Sequence, residues 1–186
     1  MSHLKILFFA LSTTALLNAT SLGLNINSED VEVQGSMNLN SVFGTTGSTT
    51  FLLNGQYLHS DGANMTSFGI SGENSLEAAP GLTFGFGAKA VFADDFMAIP
   101  LLAKAIWTLP FDSDIPTTSL SANLAYAPSV LTFIEGESYF EFRTEADMEV
   151  ISNIHIFAGY RNIDTNYENK DYNFNDSWYG GLKLRF

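Results

Sequence analysis

Apolar and polar residues alternate with period two along most of the chain, the pattern of strands whose two faces meet different surroundings. In 31–40, Val31, Val33, Met37 and Leu39 share one face, opposite Glu32, Gln34, Ser36, Asn38 and Asn40. In 81–92 the apolar set is Leu82, Phe84, Phe86, Ala88, Ala90 and Phe92, opposite Thr83, Gly85, Gly87, Lys89 and Val91. Similar patterns occur at 50–58, 66–73, 119–126, 137–145, 149–161 and 178–186, where Trp178 opens the last apolar face. The segment 22–27 reads as a further short strand. Its apolar residues Leu22, Leu24 and Ile26 have even numbers and those after Asp30 have odd ones, so a turn is expected at 28–30. The segment 97–108 is the least regular, with Leu102 and Ile106 on the face expected to be polar.

This reading predicts an all-β fold of ten strands, or eight if 22–27 is not a strand and another pair merges. Clusters of Gly, Asn, Asp, Ser and Pro at 41–49, 60–65, 74–80, 93–96, 109–117 and 162–176 supply the connections. The pattern contains no long helix, no heptad, no repeat of fixed length and no second domain. Ten strands put both ends of the barrel chain on one side. They also put the long connections 41–49 and 109–117 there, where a membrane barrel is expected to turn tightly.

The placement of charge decides between a soluble barrel and a membrane barrel, because a membrane barrel turns its apolar face outward. Beyond Lys5 the cations are Lys89, Lys104, Arg143, Arg161, Lys170, Lys183 and Arg185, and all but Lys170 fall on polar strand faces. Glu32, Glu73, Glu137, Glu141, Glu145 and Glu149 fall on those faces too. A lumen lets such charges pair, whereas a cation on the lipid side costs about 2–4 kcal/mol near the midplane. Phe92, Phe96, Trp107, Phe111, Tyr126, Phe133, Tyr160 and Trp178 lie near expected strand ends, as interfacial aromatic girdles require. The expected architecture is an antiparallel up-and-down transmembrane β-barrel. Its expected lumen-lining residues are Glu32, Lys89, Lys104, Glu141, Arg143, His155, Arg161, Lys183 and Arg185.

The beginning of the chain adds a compartment. Lys5 precedes an apolar stretch at 6–17, and small residues follow, the form of a secretory signal with cleavage after Ala19 or Ser21. About 12 apolar residues are too few for the roughly 20 that a spanning helix needs. Residues 1–21 are therefore expected to be removed on export through the inner membrane, leaving 22–186 as the barrel. There is no cysteine, hence no disulfide framework and no thiolate metal site. The formal net charge of −12 argues against nucleic acid as a partner. It is compatible with anionic lipopolysaccharide bridged by divalent cations.

The final run YGGLKLRF, residues 179–186, resembles the C-terminal assembly signal of outer-membrane barrels, with Gly181, Leu182, Leu184 and Phe186 at the characteristic positions. It departs from that signal at Tyr179, where a more polar residue is usual. An extended strand with one apolar face can pair with an open edge of the assembly machinery before its own barrel closes. The runs YLHSDG at 57–62, GAKA at 87–90, YAPS at 126–129, GYR at 159–161 and GLKLRF at 181–186 extend the likeness. Through them the chain resembles the YfaZ family of small outer-membrane barrels, often described as porin-like. The resemblance implies the outer membrane of a Gram-negative bacterium and a barrel fold, and brings no catalytic residues.

Other chemistry finds little support in the sequence. Adjacent residues on a strand point to opposite faces, so His59, Ser60 and Asp61 cannot form a relay by themselves. His155 is expected on the luminal face beside Glu141 or Arg143. The acidic residues Asp94, Asp95, Asp112, Asp114, Asp164, Glu168, Asp171 and Asp176 lack the spacing of a calcium loop. Gly85, Gly87, Gly180 and Gly181 precede no helix that would make them a nucleotide loop, and are expected to bend strands or make room in the lumen. The expectation is a monomeric barrel without catalytic function, metal or cofactor, whose partners are the bilayer, lipopolysaccharide and the barrel assembly machinery. Its role is read as a narrow porin-like channel, with a closed structural or surface-interaction barrel as the alternative and a hydrolase at the outer rim as a third.

Overall fold

Strand follows strand around a closed wall, each antiparallel to its neighbours, until the last pairs with the first. The computed structural model describes residues 20–44, 47–111, 115–167 and 170–186, apart from the side chains of Phe43 and Lys170. The expected signal segment thus lies outside the described residues except for Thr20 and Ser21, as do Asp112, Asp114 and Glu168. The strands are β1 (Ser21–Ile26), β2 (Asp30–Asn38), β3 (Thr50–Ser60), β4 (Ala63–Ser75), β5 (Leu82–Ala93), β6 (Phe96–Ala98), β7 (Leu101–Thr108), β8 (Thr118–Ala127), β9 (Thr132–Ile134), β10 (Gly136–Ile151), β11 (Ile154–Tyr167) and β12 (Lys170–Arg185). Both β6 and β7 pair with β5, so they form one wall strand interrupted at 99–100, where Pro100 lacks an amide hydrogen. Similarly β8 pairs with β7 and β9 with β6, joined through the 3₁₀ turn Ser129–Leu131. The wall therefore has ten strands, the larger of the two numbers expected. Pairing of β1 with β12, Leu24 opposite Leu182, and of β4 with β5 leaves no open edge along the wall.

The outer surface is apolar. Leu24, Ile26, Val33, Phe68, Ile70, Phe86, Leu124, Leu182 and Leu184 are all exposed, whereas Asn25, Glu32, Glu141, Arg143 and Arg161 are buried. That inside-out distribution is the one a lipid-facing wall requires. Tyr57, Phe92, Tyr126, Phe133 and Trp178 ring one end of the belt, and Phe84, Trp107, Phe111 and Phe186 the other. Phe96 is a correction: it faces inward at 1% exposure and belongs to the core.

The two ends differ. At the upper end the described connections are tight: 27–29, 61–62, 94–95 and 135. Asp61 and Gly62 both have positive φ, 45° and 81°, the conformation of a two-residue hairpin turn. The lower end, where β1 begins and β12 finishes, carries the longer connections 39–49, 76–81 and 109–117, and the first of these holds a single helical turn at Asn40–Phe43. These long links lie on the side where the ten-strand reading put them.

Two expected boundaries are corrected. The 162–176 connection is strand: β11 runs to Tyr167 and β12 starts at Lys170. Glu149 belongs to β10, because the turn falls at 152–153, where Asn153 has φ 68°. The first error has a physical cause. Along β11 the outward residues change from Ile154, Ile156, Ala158 and Tyr160 to Asn162, Asp164 and Asn166, while the inward ones change from His155 and Arg161 to Ile163, Thr165 and Tyr167. The alternation inverts where the strand leaves the apolar belt. A bulge at Phe174, between the pairs Ile163 with Asn175 and Asp164 with Asn173, also shifts the parity of β12. At 16, 14 and 16 residues, β10, β11 and β12 exceed the roughly 9–11 that cross a bilayer, so they rise above the belt as a polar-faced palisade.

Replacing outward Phe86 by Arg is expected to destabilise the barrel by about 2–4 kcal/mol. The same change at Asn173, above the belt, should stay within about 0.5 kcal/mol. Urea unfolding in phospholipid bilayers measures both, and equal effects would contradict this placement of the belt.

Candidate functional site

The inward side chains divide the lumen into three layers, each fixed by which residues the alternation turns inside. The upper layer is apolar. Leu58 of β3, Met65 of β4, Val91 of β5, Phe96 of β6, Tyr139 of β10, Ile163 of β11 and Phe174 of β12 pack into one buried cluster. The Phe96 ring lies 5.4 Å from that of Tyr167 in an edge contact and 6.1 Å from that of Tyr139. Burial raises the pKa of the Tyr167 phenol, which donates to the Asp94 carbonyl oxygen at 3.2 Å.

Beneath this plug lies a layer of buried charge. Glu32 accepts from Arg143 Nη1 at 2.8 and 3.0 Å, from Asn25 Nδ2 at 2.8 Å and from Arg161 Nη1. Arg161 also donates through Nη2 to Asp30 at 3.0 Å and through Nε to Asn175 at 2.8 Å. Asn175 donates in turn to Asp30 and to Ser60, each at 2.9 Å. Glu141 pairs with Lys89 and lies 3.4 Å from Arg143, while the Tyr139 hydroxyl donates to it. Here Asp30, Glu32 and Glu141 balance Lys89, Arg143 and Arg161, linking β2, β5, β10 and β11 across the interior. A buried ion is tolerable only when paired and hydrogen-bonded to this extent. Tyr179, the departure from the expected terminal pattern, has a role in this layer. The guanidinium carbons of Arg161 and Arg143 lie 5.1 and 5.7 Å from its ring centroid, favourable cation-π geometry. Gly159 makes room for the ring, since a Cβ there would come within 2.8 Å of Tyr179, and Gly181 does the same for the neighbouring Phe157, at 2.7 Å.

The lower layer opens toward the end where β1 begins. Lys104 pairs with Glu73 at 2.9 Å; Lys183 pairs with Glu145 at 2.6 Å and Asp147 at 3.2 Å; Arg185 reaches Asp147 at 3.3 Å. The Arg185 side chain is 49% exposed, against 0% for Arg161, so the lumen is wet at this end and sealed further up. Two overlapping cavities of about 230 and about 430 Å³ share Gln34, Asn54, Gln56, Glu73 and Lys104 in their walls and form one vestibule.

Each cation expected in the lumen sits on the inner face and is paired. His155 sits there too, but its partner differs from the expected Glu141 or Arg143. The turn at 152–153 sets a register in which His155 Nδ1 lies 2.8 Å from Asp147 Oδ1. Two interior carboxylates escaped the sequence reading. Asp30 was assigned to a turn and Asp147 to a gap between strands, yet Asp147 continues the odd-numbered series of Glu141, Arg143 and Glu145 and was legible from it. Glu137 instead stands exposed at the upper rim. His59 and Ser60 diverge: His59 Nδ1 lies 2.8 Å from Asn64 Oδ1 on the outer side, while Ser60 is buried inside against Asn175. In the terminal strand Gly181 faces inward, while Leu182, Leu184 and Phe186 are exposed on the outer side.

A family model described as YfaZ precursor matches residues 5–186, and the chain belongs to that family. A solved structure described as a bacterial polysaccharide outer membrane secretin is similar with a TM-score of 0.48 and 10% identity, covering 89% of this chain and 69% of that one. Another, from work on the mechanism behind in-meso crystallization of membrane proteins, has a TM-score of 0.44 and 10% identity, covering 90% and 83%. No curated protein matches the chain at a significant level.

Arg161→Met leaves the buried Asp30 with hydrogen bonds but no cation and weakens the bonding of Glu32, and should cost about 3–5 kcal/mol in the same unfolding assay. Lys104→Met at the wet mouth should cost about 1 kcal/mol or less. A smaller effect for Arg161 than for Lys104 would refute the layered assignment.

Proposed function

We propose that this YfaZ-family barrel resides in the outer membrane as a closed, non-conducting cup, with its lower end toward the periplasm and its palisade toward the outside. The supporting observation is the plug. Leu58, Met65, Phe96, Tyr139 and Ile163 are each no more than 2% exposed and meet across the lumen directly above the buried charge layer. A ten-stranded wall is narrow enough for its own side chains to fill it. The role is therefore that of a structural or surface-interaction barrel, acting without catalysis and as a monomer.

Its proposed partners are the surrounding bilayer, the assembly machinery that receives the strand ending in Phe186, and the lipopolysaccharide around the palisade. Glu29, Asp61, Asp94, Asp95, Glu135, Glu137, Asp164, Asp171 and Asp176 give the upper end a strongly acidic character, so contact with anionic headgroups calls for divalent cations between them.

A narrow porin-like passage is the second reading, favoured by the polar vestibule below. It requires the plug to move. Planar-bilayer recording of the refolded chain separates the two: the closed cup is expected to give no steady conductance steps. Steady wild-type steps that change when Glu141 or Arg143 is neutralised would replace the cup with the channel.

A further inference from the structure

The vestibule holds polar groups that the rest of the protein leaves unused. Gln34 of β2, Gln56 of β3 and Asn123 of β8 all line the cavity, and none of their side chains hydrogen-bonds to another described residue. The Nε2 atom of Gln34 is fully buried beside Gly23 and has no partner among the described residues, so Gln34 offers the cavity no donor there and the open amide donors are those of Gln56 and Asn123. The charges around these amides are in the opposite condition: Lys89, Lys104, Lys183 and Arg185 each already hold a carboxylate. The remaining charged donor in the wall, Nη2 of Arg143, makes no hydrogen bond but is buried 3.4 Å from Glu141, so the accessible recognition capacity of the cavity is uncharged and an ionic ligand would have to break existing pairs.

The remaining wall is apolar. Leu102 and Ile106, which broke the polar pattern of their strand in the sequence, both face into this cavity, and Leu52 joins them at its lower side. An amide both donates and accepts, as a ligand carrying many hydroxyl groups demands. An aliphatic surface beside Asn123, and across from Gln34 and Gln56, suits the C–H face of the same ligand. The larger cavity, about 430 Å³, falls within the range of small-molecule pockets. It is reached from the lower mouth, where Ser36 and Arg185 contribute to its wall, and it lies beneath the charge layer.

We propose that the vestibule is a binding site for one ring of a neutral sugar, entering from the lower end and held between Gln34 and Gln56 on one side and Asn123 with the aliphatic wall of Leu102 and Ile106 on the other. The site rests on the closed-cup reading, since a dead-end lumen retains what an open channel would pass. The ring can belong to a free monosaccharide or to the end of a glycan chain.

Saturation-transfer NMR on the full chain tests this in an amine-oxide detergent, whose headgroup contains no sugar to compete. The probes are D-glucose, maltotetraose as the chain-end form and glucose 6-phosphate as the charged form. Transfer to D-glucose is expected, with about tenfold weaker affinity in Gln56→Leu and in Asn123→Leu, which removes about 1.4 kcal/mol of binding. Asn162→Ala, on the outer face of β11, should bind as the parent does. Tighter binding of maltotetraose than of D-glucose would assign the site to a chain end, and the reverse to a free sugar; either supports it. Heat-dependent gel mobility establishes that each variant is folded. Should either leucine variant not fold, Ser121→Phe, which fills the cavity from β8, is expected to abolish transfer.

No transfer to either neutral sugar from folded parent protein overturns the site. So does undiminished transfer in the folded cavity variants, or tighter binding of glucose 6-phosphate. Bilayer recording on the same preparation keeps the two readings apart. A silent barrel without sugar binding refutes the site alone, whereas steady conductance refutes the cup whatever the sugar does.

Discussion

A charge carried into the interior of a lipid-surrounded wall must meet an opposite charge there, and the organisation of this barrel follows from that requirement. Lys89, Lys104, Arg143, Arg161, Lys183 and Arg185 all face inward, and each is paired with one or more of Asp30, Glu32, Glu73, Glu141, Glu145 and Asp147. The interior thus holds six cations and six carboxylates, leaving aside His155. The acidity of the chain is consequently expressed at its ends, above all on the upper turns and palisade. Pairs that cross the lumen also tie together strands that share no backbone hydrogen bonds. Arg143 of β10 and Arg161 of β11 meet on Glu32 of β2.

The same requirement accounts for the order of the layers. Where the wall is surrounded by lipid, its inner face must take the polar and charged residues. Where β10–β12 rise above the belt, the outer face meets water and the inner face becomes the apolar one. The raised part contributes Tyr139, Ile163 and Phe174 to the plug, with apolar residues inside and Asn and Asp outside as in a water-soluble β-protein, and Leu58, Met65 and Val91 of β3–β5 complete it at the level of the upper aromatic ring. One strand such as β11 obeys both rules in succession. The inversion between Arg161 and Ile163 marks the crossing.

The lower half has no plug, and its ion pairs, Lys104 with Glu73 and Lys183, Arg185 and His155 around Glu145 and Asp147, line a wet wall. The side chains of Gln34, Gln56 and Asn123 make no hydrogen bond to another described residue, its apolar residues lie on an inner surface, and its lysines and Arg185 are already paired. These three facts distinguish a cavity with capacity for a ligand from one that is merely incompletely filled. They also connect the irregular sequence of β7 to the shape of the vestibule, since Leu102 and Ile106 are anomalous only for a lumen polar throughout.

Much of this was legible in one dimension. Alternation placed most wall strands, and its parity identified the lipid-facing side as well as the cations that had to be inside, because a side-chain period of two leaves only two faces from which to choose. The Asp61-Gly62 turn was readable from residue type, since those residues accept positive φ. Other features were not. The strands through 162–176 were hidden because Asn and Asp outside a palisade resemble a loop, and because the bulge at Phe174 breaks the parity. Phe96 looked like a girdle residue until its partners Tyr139 and Tyr167 were in place. The pairing of His155 with Asp147 depends on a turn two residues long, which sets the register of two whole strands. The sequence by itself determined which faces must be apart, because alternation is local. Only the tertiary structure decided which charges meet and where the lumen closes, because those contacts join different strands, as much as 131 positions apart for Arg161 and Asp30.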